Sequence, residues 1–203
     1  MGIRARKERH KEELRQQILE AAGELFAKEG YESVSMRKVA RKIEYSPTTI
    51  YLYFKDKNDL LRNICDQMFQ KLIGRLLIAT ANQSDPLAAL LAGSRAYIDL
   101  GINHPNHYLS TFIVHHHHPI PENSEEFMDS IAGRAFGILI EGIDKCVREG
   151  VFREVDLLET ATSWWAMLHG ATILLISEKR FPWMDNEAFI RNSLDLMVQG
   201  LKK

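Results

Sequence analysis

The apolar residues of this chain recur at spacings of three and four, and this periodicity constrains the fold more than any other feature. Leu14, Ile18, Ala21, Ala22 and Leu25 form the first stripe, and similar stripes follow almost to the C-terminus. Residues at these spacings share one face of an α-helix, whereas a half-buried strand alternates apolar and polar residues. The sequence contains no clean alternation of that kind. It therefore predicts an all-α fold.

Capping residues and prolines divide the chain into about nine predicted helices. Gly30 is suited to end the first helix, Ser35 to cap the second, and Ser46 followed by Pro47 to open the third. The predicted helices span residues 8–29, 36–43, 47–54, 58–81, 85–102, 104–116, 124–149, 157–179 and 186–201. The three N-terminal helices form a predicted head, residues 1–57, and the six longer ones form a body, residues 58–203.

Charge is unevenly distributed along the chain, although the net charge is only −1. Residues 1–60 carry thirteen Lys and Arg against ten Asp and Glu, a balance of +3, and the remainder has a balance of −4. The first eleven residues are the most basic, with five Lys and Arg and a single acid, Glu8. A basic head on an acidic body indicates a DNA contact at one end, although a solvated basic tail would have the same composition.

Other features of the sequence indicate a cytoplasmic protein with no membrane partner. Cys65 and Cys146 fall inside predicted helices and neither belongs to a CxxC motif, which suits buried, reduced thiols. The N-terminus is charged rather than apolar, unlike a secretory signal. The longest nearly apolar run, residues 164–176, is shorter than the roughly 20 residues that cross a bilayer.

Residues 36–54 have the pattern of a helix-turn-helix, in which two short helices are joined by a tight turn. The N-terminal end of the second helix reaches base edges in such a motif, and threonine can bond a base or touch a thymine methyl. The candidates for base contacts are Tyr45, Pro47, Thr48 and Thr49. The candidates for phosphate contacts are Ser35, Arg37, Lys38, Ser46, Tyr51, Tyr53 and Lys57. For Tyr51, Tyr53 and Phe54 the alternative is a place in the local core, which we favour for Phe54.

The stretch from Ile18 to Leu61, ILEAAGELFAKEGYESVSMRKVARKIEYSPTTIYLYFKDKNDLL, resembles the DNA-binding domain of the TetR family. The resemblance implies phosphate contacts by Ser35, Tyr51, Tyr53 and Lys57, and base reading by residues 46–49. Three positions depart from the family pattern. Glu44 stands where the family usually has glycine, Tyr45 where it has a small aliphatic residue, and Leu52 where it often has histidine. A non-glycine residue at positive φ costs on the order of 1 kcal/mol, so the turn is expected to differ.

The resemblance further implies that the body binds a small molecule and dimerises. The segment Trp164 to Gly170, WWAMLHG, resembles a motif of the WHG-type subgroup. Aromatic walls with a few polar groups are typical of ligand sites. The candidate pocket residues are Phe69, Ile73, Leu76, Tyr97, Tyr108, Phe112, Phe136, Trp164 and His169. A packed core is the alternative for each, and His169 could instead satisfy a core carbonyl.

The last two predicted helices are the candidate dimer interface. Two copies of this pair would bury a set of largely apolar side chains in a four-helix contact. The set is Leu158, Trp165, Leu168, Thr172, Leu175, Phe189, Leu194, Met197 and Leu201. A homodimer places two recognition helices about one DNA turn apart, or a multiple of it, so the operator should be near-palindromic.

The predicted function is therefore that of a DNA-binding transcriptional regulator, a repressor released from its operator by a small-molecule effector, with no cofactor. One alternative is a metal-responsive regulator using the run His115 to His118, although we favour a solvated helix end, because no cysteine or carboxylate lies adjacent to complete a metal site. Another is a DNA-organising protein that binds no ligand. An enzyme on a helical scaffold is a third, and no HExxH, nucleophile elbow or phosphate loop supports it.

Overall fold

A computed structural model of the protein describes residues 2–81, 83–112, 124–177 and 185–203. Across these ranges the chain is helical, and the only pairing of extended backbone is an isolated antiparallel bridge between Phe152 and Lys202. The all-α prediction is confirmed. None of the helices within these ranges is long and apolar enough to cross a membrane.

The four N-terminal helices begin and end close to the capping residues. They are α1 (Ile3–Glu29), α2 (Met36–Lys42), α3 (Pro47–Tyr51) and α4 (Lys57–Ala81). Gly30 ends α1 at a φ of 76°, and its N–H donates to the Phe26 carbonyl at 3.0 Å. Helix α1 begins five residues earlier than predicted, because residues 3–7 are helix formers that lack an apolar stripe to reveal them.

Six further helices follow, which brings the described helices to ten. They are α5 (Pro86–Asn103), α6 (Pro105–Phe112), α7 (Ser124–Asp129), α8 (Ile131–Arg148), α9 (Leu157–Ser177) and α10 (Asn186–Gln199). The prediction of one helix over 124–149 is wrong, because the chain breaks at Ser130. The Ser130 hydroxyl donates to the Phe127 carbonyl at 2.6 Å and accepts from the Gly133 N–H at 3.0 Å, which caps α8. A side chain at Gly133 would collide with that same carbonyl.

Packing divides the chain into two compact units. The head unit comprises Met1–Met68 with Pro105–Ile120, and the body unit comprises Phe69–His104 with Pro121–Lys203. Helix α4 begins in the head unit and ends in the body unit, and α6 belongs to the head unit although α5 before it does not. The sequence predicted a boundary between a DNA-binding region, residues 1–57, and a ligand-binding region, residues 58–203. That boundary describes binding roles rather than packing units, so it stays a prediction.

The head unit has a continuous apolar core beneath its short helices. Ile18 and Phe26 of α1, Val39 of α2 and Ile50 of α3 are fully buried. Burying a large aliphatic or aromatic side chain contributes roughly 1.5–3 kcal/mol. A helix as short as α3 is therefore held in place by its buried Ile50, with Phe54 directly beyond it, rather than by its own hydrogen bonds.

The body unit is built around α5, which packs against α8, α9 and α10. Ile98 and Leu100 of α5 and Ile143 of α8 are fully buried there. At the surface Arg95 of α5 makes a bidentate ion pair with Glu187 of α10, at 2.5 and 2.8 Å. That pairing raises the pKa of Arg95 and lowers the pKa of Glu187, so both groups stay charged.

Candidate functional site

The second and third helices form a capped helix-turn-helix. The Ser35 hydroxyl accepts from the Lys38 N–H at 3.3 Å to cap α2. The Ser46 hydroxyl accepts from the Thr49 N–H at 3.1 Å to cap α3, in which Pro47 occupies the first position. These caps use backbone N–H groups that a short helix leaves without intrahelical partners. The motif is therefore positioned by its own polar residues as well as by the core beneath it.

The turn between α2 and α3 carries a glutamate in a left-handed conformation. Glu44 has a φ of 60° and is, within the described ranges, the one residue other than glycine at positive φ. The Tyr45 N–H that follows donates to the Ala40 carbonyl at 3.0 Å, which closes the turn. The tight turn is thus formed without the glycine usual at this position, at a conformational cost of about 1–2 kcal/mol.

The candidates for base contact are presented on the surface of the head unit. Tyr45, Ser46, Pro47 and Thr48 are exposed. Thr49 is half-buried, and its hydroxyl lies 2.9 Å from that of Ser46. Thr48 is consequently the threonine most available to a ligand, while the Thr49 hydroxyl also belongs to the cap of α3.

The candidates for phosphate contact divide into exposed side chains and side chains held by neighbours. Arg37 and Tyr51 are exposed. Lys38 forms an ion pair with Glu29 at the end of α1. Tyr53 is half-buried against the head core, and Phe54 is buried, as predicted.

The ammonium group of Lys57 is held by Tyr31. The Lys57 Nζ donates to the Tyr31 carbonyl at 2.9 Å and lies 3.9 Å from the centre of the Tyr31 ring. The Tyr31 hydroxyl in turn donates to Asn58. Sequence reasoning did not identify Glu29 and Tyr31 as partners, because they lie nine and 26 residues from the lysines they hold and no local pattern links them.

The predicted pocket residues fall into different units. Phe69, Ile73, Leu76, Tyr97, Phe136, Trp164 and His169 belong to the body unit. Tyr108 and Phe112 lie on α6 in the head unit, where their ring centres are 4.7 Å apart and Tyr108 is fully buried. Phe69 and Leu76 are buried on α4, and Ile73 is half-buried.

Two tryptophans of α9 have different surroundings. Trp164 is buried, its ring packs against Phe152, and its indole N–H donates to the Ser94 hydroxyl at 3.0 Å. That geometry is typical of a core residue. Trp165 is half-buried, and its N–H donates to the Tyr97 hydroxyl at 3.1 Å. Trp165 was absent from the predicted pocket, and adjacency to Trp164 was the only local signal for it.

A small polar network joins Trp165, Tyr97 and His169 in the body unit. The Tyr97 hydroxyl lies 3.4 Å from His169 Nδ1, and the rings of Trp165 and His169 are 5.6 Å apart. Phe136 approaches Trp165 edge-on at 6.5 Å. Burial lowers the pKa of His169, so its imidazole is neutral at physiological pH. The network thus combines hydroxyl and imidazole groups with half-buried aromatic rings.

The histidine run of the metal-responsive alternative, residues 115–118, lies outside the described residues. Within the part of the chain that the structure describes, no group of three His, Cys, Asp or Glu side chains could hold a metal ion. Cys65 and Cys146 are buried, and burial raises their thiol pKa values to about 12 and about 11, so both are uncharged thiols at neutral pH.

Two family models match this chain. Residues 18–64 match the model of bacterial regulatory proteins of the TetR family, and residues 90–201 match that of the tetracyclin repressor-like C-terminal domain. The second match alone spans more than half of the chain. The chain belongs to the TetR family.

Several relatives of this TetR-family chain match over nearly its whole length. The Fatty acid metabolism regulator protein of Bacillus subtilis (strain 168) is 27% identical over 201 residues, covering 91% of this chain and 94% of the relative. The crystal structure of PfmR, a TetR family transcriptional regulator from Thermus thermophilus, is 25% identical with a TM-score of 0.75 and covers 92% of this chain and 99% of its own.

A further solved structure is that of AibR in complex with isovaleryl coenzyme A and operator DNA. It is 21% identical with a TM-score of 0.74, and it covers 90% of this chain and 96% of its own. At this identity the likeness shows the fold alone. Membership of the family, together with the helix-turn-helix, makes this chain a DNA-binding transcriptional regulator.

Proposed function

We propose that this regulator is a repressor that reads its operator through the N-terminal end of α3. The observation that carries this proposal is the division of the helix into two faces. Pro47 and Thr48 are exposed, whereas Ile50 is fully buried. A helix fixed through one face in this way can insert the other into a major groove, where threonine meets a base edge or a thymine methyl.

The flanking hydroxyls and cations supply the affinity that does not depend on sequence. Arg37 and Tyr51 are exposed near the ends of the two helices. The Tyr31 carbonyl holds the Lys57 ammonium group in place, so the other N–H donors of Lys57 have a fixed position from which to bond a phosphate. Such groups bond phosphate oxygens, which positions the protein on the duplex and makes binding sensitive to salt.

The operator is proposed to be near-palindromic because the regulator is proposed to be a homodimer. Helices α9 and α10 keep large apolar side chains exposed, namely Leu158, Met167, Leu174 and Leu196. Leu168, Thr172, Leu194 and Met197, which the sequence suggested for the interface, are already buried within the chain. Met167 and Leu174 share one face of α9, and together with Leu196 they would be covered by the same residues of a second copy, which yields a two-fold axis between the two recognition helices. Leu158 lies on the opposite face of α9 and is not part of this proposed contact.

The effector is proposed to be an acyl thioester that binds in the body unit. This rests on the coenzyme A compound named in the AibR structure and on the name of the Bacillus subtilis relative. Phe136 and Trp165 offer half-buried rings for an acyl chain. The Tyr97 hydroxyl and the His169 imidazole, 3.4 Å apart, supply the polar groups of the proposed site. The WWAMLHG segment of α9 is proposed to place the chain in the WHG-type subgroup.

Release from the operator is proposed to be a population shift. An effector that binds more tightly to a dimer whose heads are wrongly spaced for adjacent major grooves lowers the affinity for DNA by the same factor. Helix α4 is the covalent link, since it begins in the head unit and ends in the body unit.

The direct test is footprinting of the purified protein on the DNA upstream of its own gene. We expect a protected near-palindrome, and we expect acyl-coenzyme A esters to abolish the protection while the corresponding free acids do not. Protection with no two-fold symmetry would contradict the dimeric arrangement. Protection unchanged by acyl thioesters of any chain length would contradict the proposed effector and leave the DNA-reading part intact.

A further inference from the structure

The first eleven residues concentrate positive charge outside the helix-turn-helix. Arg4, Arg6, Lys7, Arg9 and Lys11 face a single acid, Glu8, and all of these side chains are exposed. The match to the TetR DNA-binding model begins only at residue 18. These cations are therefore additional to the region that the family model covers.

This segment is a helix that extends beyond the core. Helix α1 begins at Ile3, every side chain from Arg4 to Glu13 is exposed, and Leu14 is the first buried side chain after them. At 1.5 Å per residue the eleven residues before Leu14 extend about 16 Å along the helix axis. We call residues 3–11 the arm. A helical arm holds its charges at fixed spacings, unlike a solvated coil.

The turn of α1 that follows the arm packs beside Phe54, three residues beyond the end of α3. The Arg15 guanidinium stacks over the Phe54 ring at 5.4 Å and donates to Asn63 at 2.5 Å. Lys11 and Lys7 stand four and eight residues before Arg15 and share its helix face, and Arg4 continues that face. A cationic face therefore runs outward from the turn that follows α3.

The described fold does not stabilise three of these charges, those of Arg4, Lys7 and Lys11. The first turn of α1 has no acid, and Gly2 provides no side-chain cap, so the cations oppose the helix dipole. Within residues 2–81, Arg4, Lys7 and Lys11 make no ion pair. A polyanion bound along the arm would remove this repulsion.

We propose that the arm binds the sugar-phosphate backbone of duplex DNA flanking the segment read by α3. Lys and Arg side chains bind phosphates without reading sequence, and each contact contributes to the salt dependence of binding. The arm thus adds affinity and lengthens the contacted DNA, while the choice of operator stays with α3. This inference does not depend on the proposed effector or on repression.

The test compares full-length chains that have lost three cations at different places. The arm variant is R4Q/K7Q/K11Q, because glutamine keeps the helix propensity of lysine and arginine. The control is R134Q/K202Q/K203Q, which removes the same charge from exposed positions of the body unit. A conservative variant, R4K/K7R/K11R, keeps the charge and changes the side chains.

Binding to a mixed-sequence duplex of about 40 base pairs is measured by fluorescence anisotropy between about 50 and 200 mM salt. We expect the slope of log Kd against log salt to fall by about 0.9 per contact, hence about 2.7 per protomer, in the arm variant alone. The control and the conservative variant keep the wild-type slope. Amide hydrogen exchange of residues 3–11 is expected to slow when wild-type protein binds the duplex.

Three results would overturn the proposal. The first is an arm variant whose slope equals that of wild type. The second is an equal decrease of this slope in the arm variant and in the control, which would show that the effect depends on net charge and not on the arm. The third is binding of wild type to phosphatidylglycerol vesicles that the arm variant loses while its duplex binding is unchanged, which would assign the arm to a lipid surface.

Discussion

The hydroxyl of Ser110 donates a 3.0 Å hydrogen bond to the carbonyl of Gly23, and both residues are in the interior of the head unit. The bond ties α6 to the C-terminal third of α1. Gly23 lies under the His107 ring, where an added Cβ would sit 3.5 Å from the ring atoms. Helix α6 is therefore packed as part of the DNA-binding unit, although α4 and α5 separate it from the helix-turn-helix in chain order.

We expect Ser110→Ala to lower the free energy of unfolding by about 1 kcal/mol, because the variant loses a buried hydrogen bond. Ser193→Ala is the control, since the Ser193 hydroxyl donates within α10 to the Phe189 carbonyl and joins no two helices. It is expected to change stability by less than about 0.5 kcal/mol. Denaturant titration measures both, and equal effects would show that the link between α6 and α1 adds nothing.

Gly30→Ala and Gly74→Ala are expected to change stability in opposite directions. Neither added Cβ would meet an atom within 4 Å. Gly30 has φ 76° and ψ 160°, a region that essentially only glycine occupies, so alanine there should cost about 1–3 kcal/mol. Gly74 lies inside α4, where alanine should add about 0.5–1 kcal/mol. Thermal unfolding of the two variants measures this, and a shift of the same sign in both would contradict the argument.

Thr48→Ala is expected to reduce discrimination between operator and unrelated DNA by about 1–3 kcal/mol, the contribution of a good base contact. Thr48 is exposed, so the unfolding temperature should not change. The control is Thr160→Ala in the body unit, which should bind the operator as wild type does. Competition binding with the footprinted duplex supplies the measurement. Undiminished discrimination in Thr48→Ala would refute base reading by this residue.

Stability should fall as the pH drops below 6.5, in part because of His169. Burial lowers its folded-state pKa, so between that lowered value and the unfolded value near 6.5 the unfolded chain binds the extra proton. The stability contributed by the neutral, buried imidazole is fully present above pH 6.5, and it is lost as the pH falls through the folded-state pKa of His169. His169→Gln lacks this titration, so wild type and variant should differ most in their pH slopes over that window. Parallel curves from urea unfolding at each pH would contradict it.

Leu196→Glu is expected to convert the proposed dimer to a monomer. Leu196 is 62% exposed on α10, and a charge there would have to be desolvated between two copies. Leu52→Glu is the control, because Leu52 is 77% exposed in the head unit and lies on no proposed subunit interface. Light scattering after size-exclusion chromatography distinguishes the two. A dimeric Leu196→Glu protein with unchanged affinity would exclude α10 from the interface.

The sequence by itself determined the local structure of this protein. Helix periodicity, the serine caps at Ser35 and Ser46 and the glycine at Gly30 act over four residues or fewer, so they can be read in order along the chain. The positions of the helix-turn-helix and of its exposed threonine followed from these signals. The resemblance marked Glu44 as a departure from the family pattern and predicted a different turn, whereas the structure shows that Glu44 itself adopts a positive φ of 60°.

The tertiary structure alone decided which of these elements pack together. The bond from Ser110 to Gly23 spans 87 residues, and the one from Trp165 to Tyr97 spans 68. No periodic pattern specifies such a partner, because many apolar stripes of similar length compete for the same face. The break at Ser130 is different, because its partners, the Phe127 carbonyl and the Gly133 N–H, lie only three residues away; it is a local cap that sequence reasoning missed. Which apolar side chains stayed exposed was settled by that packing in turn.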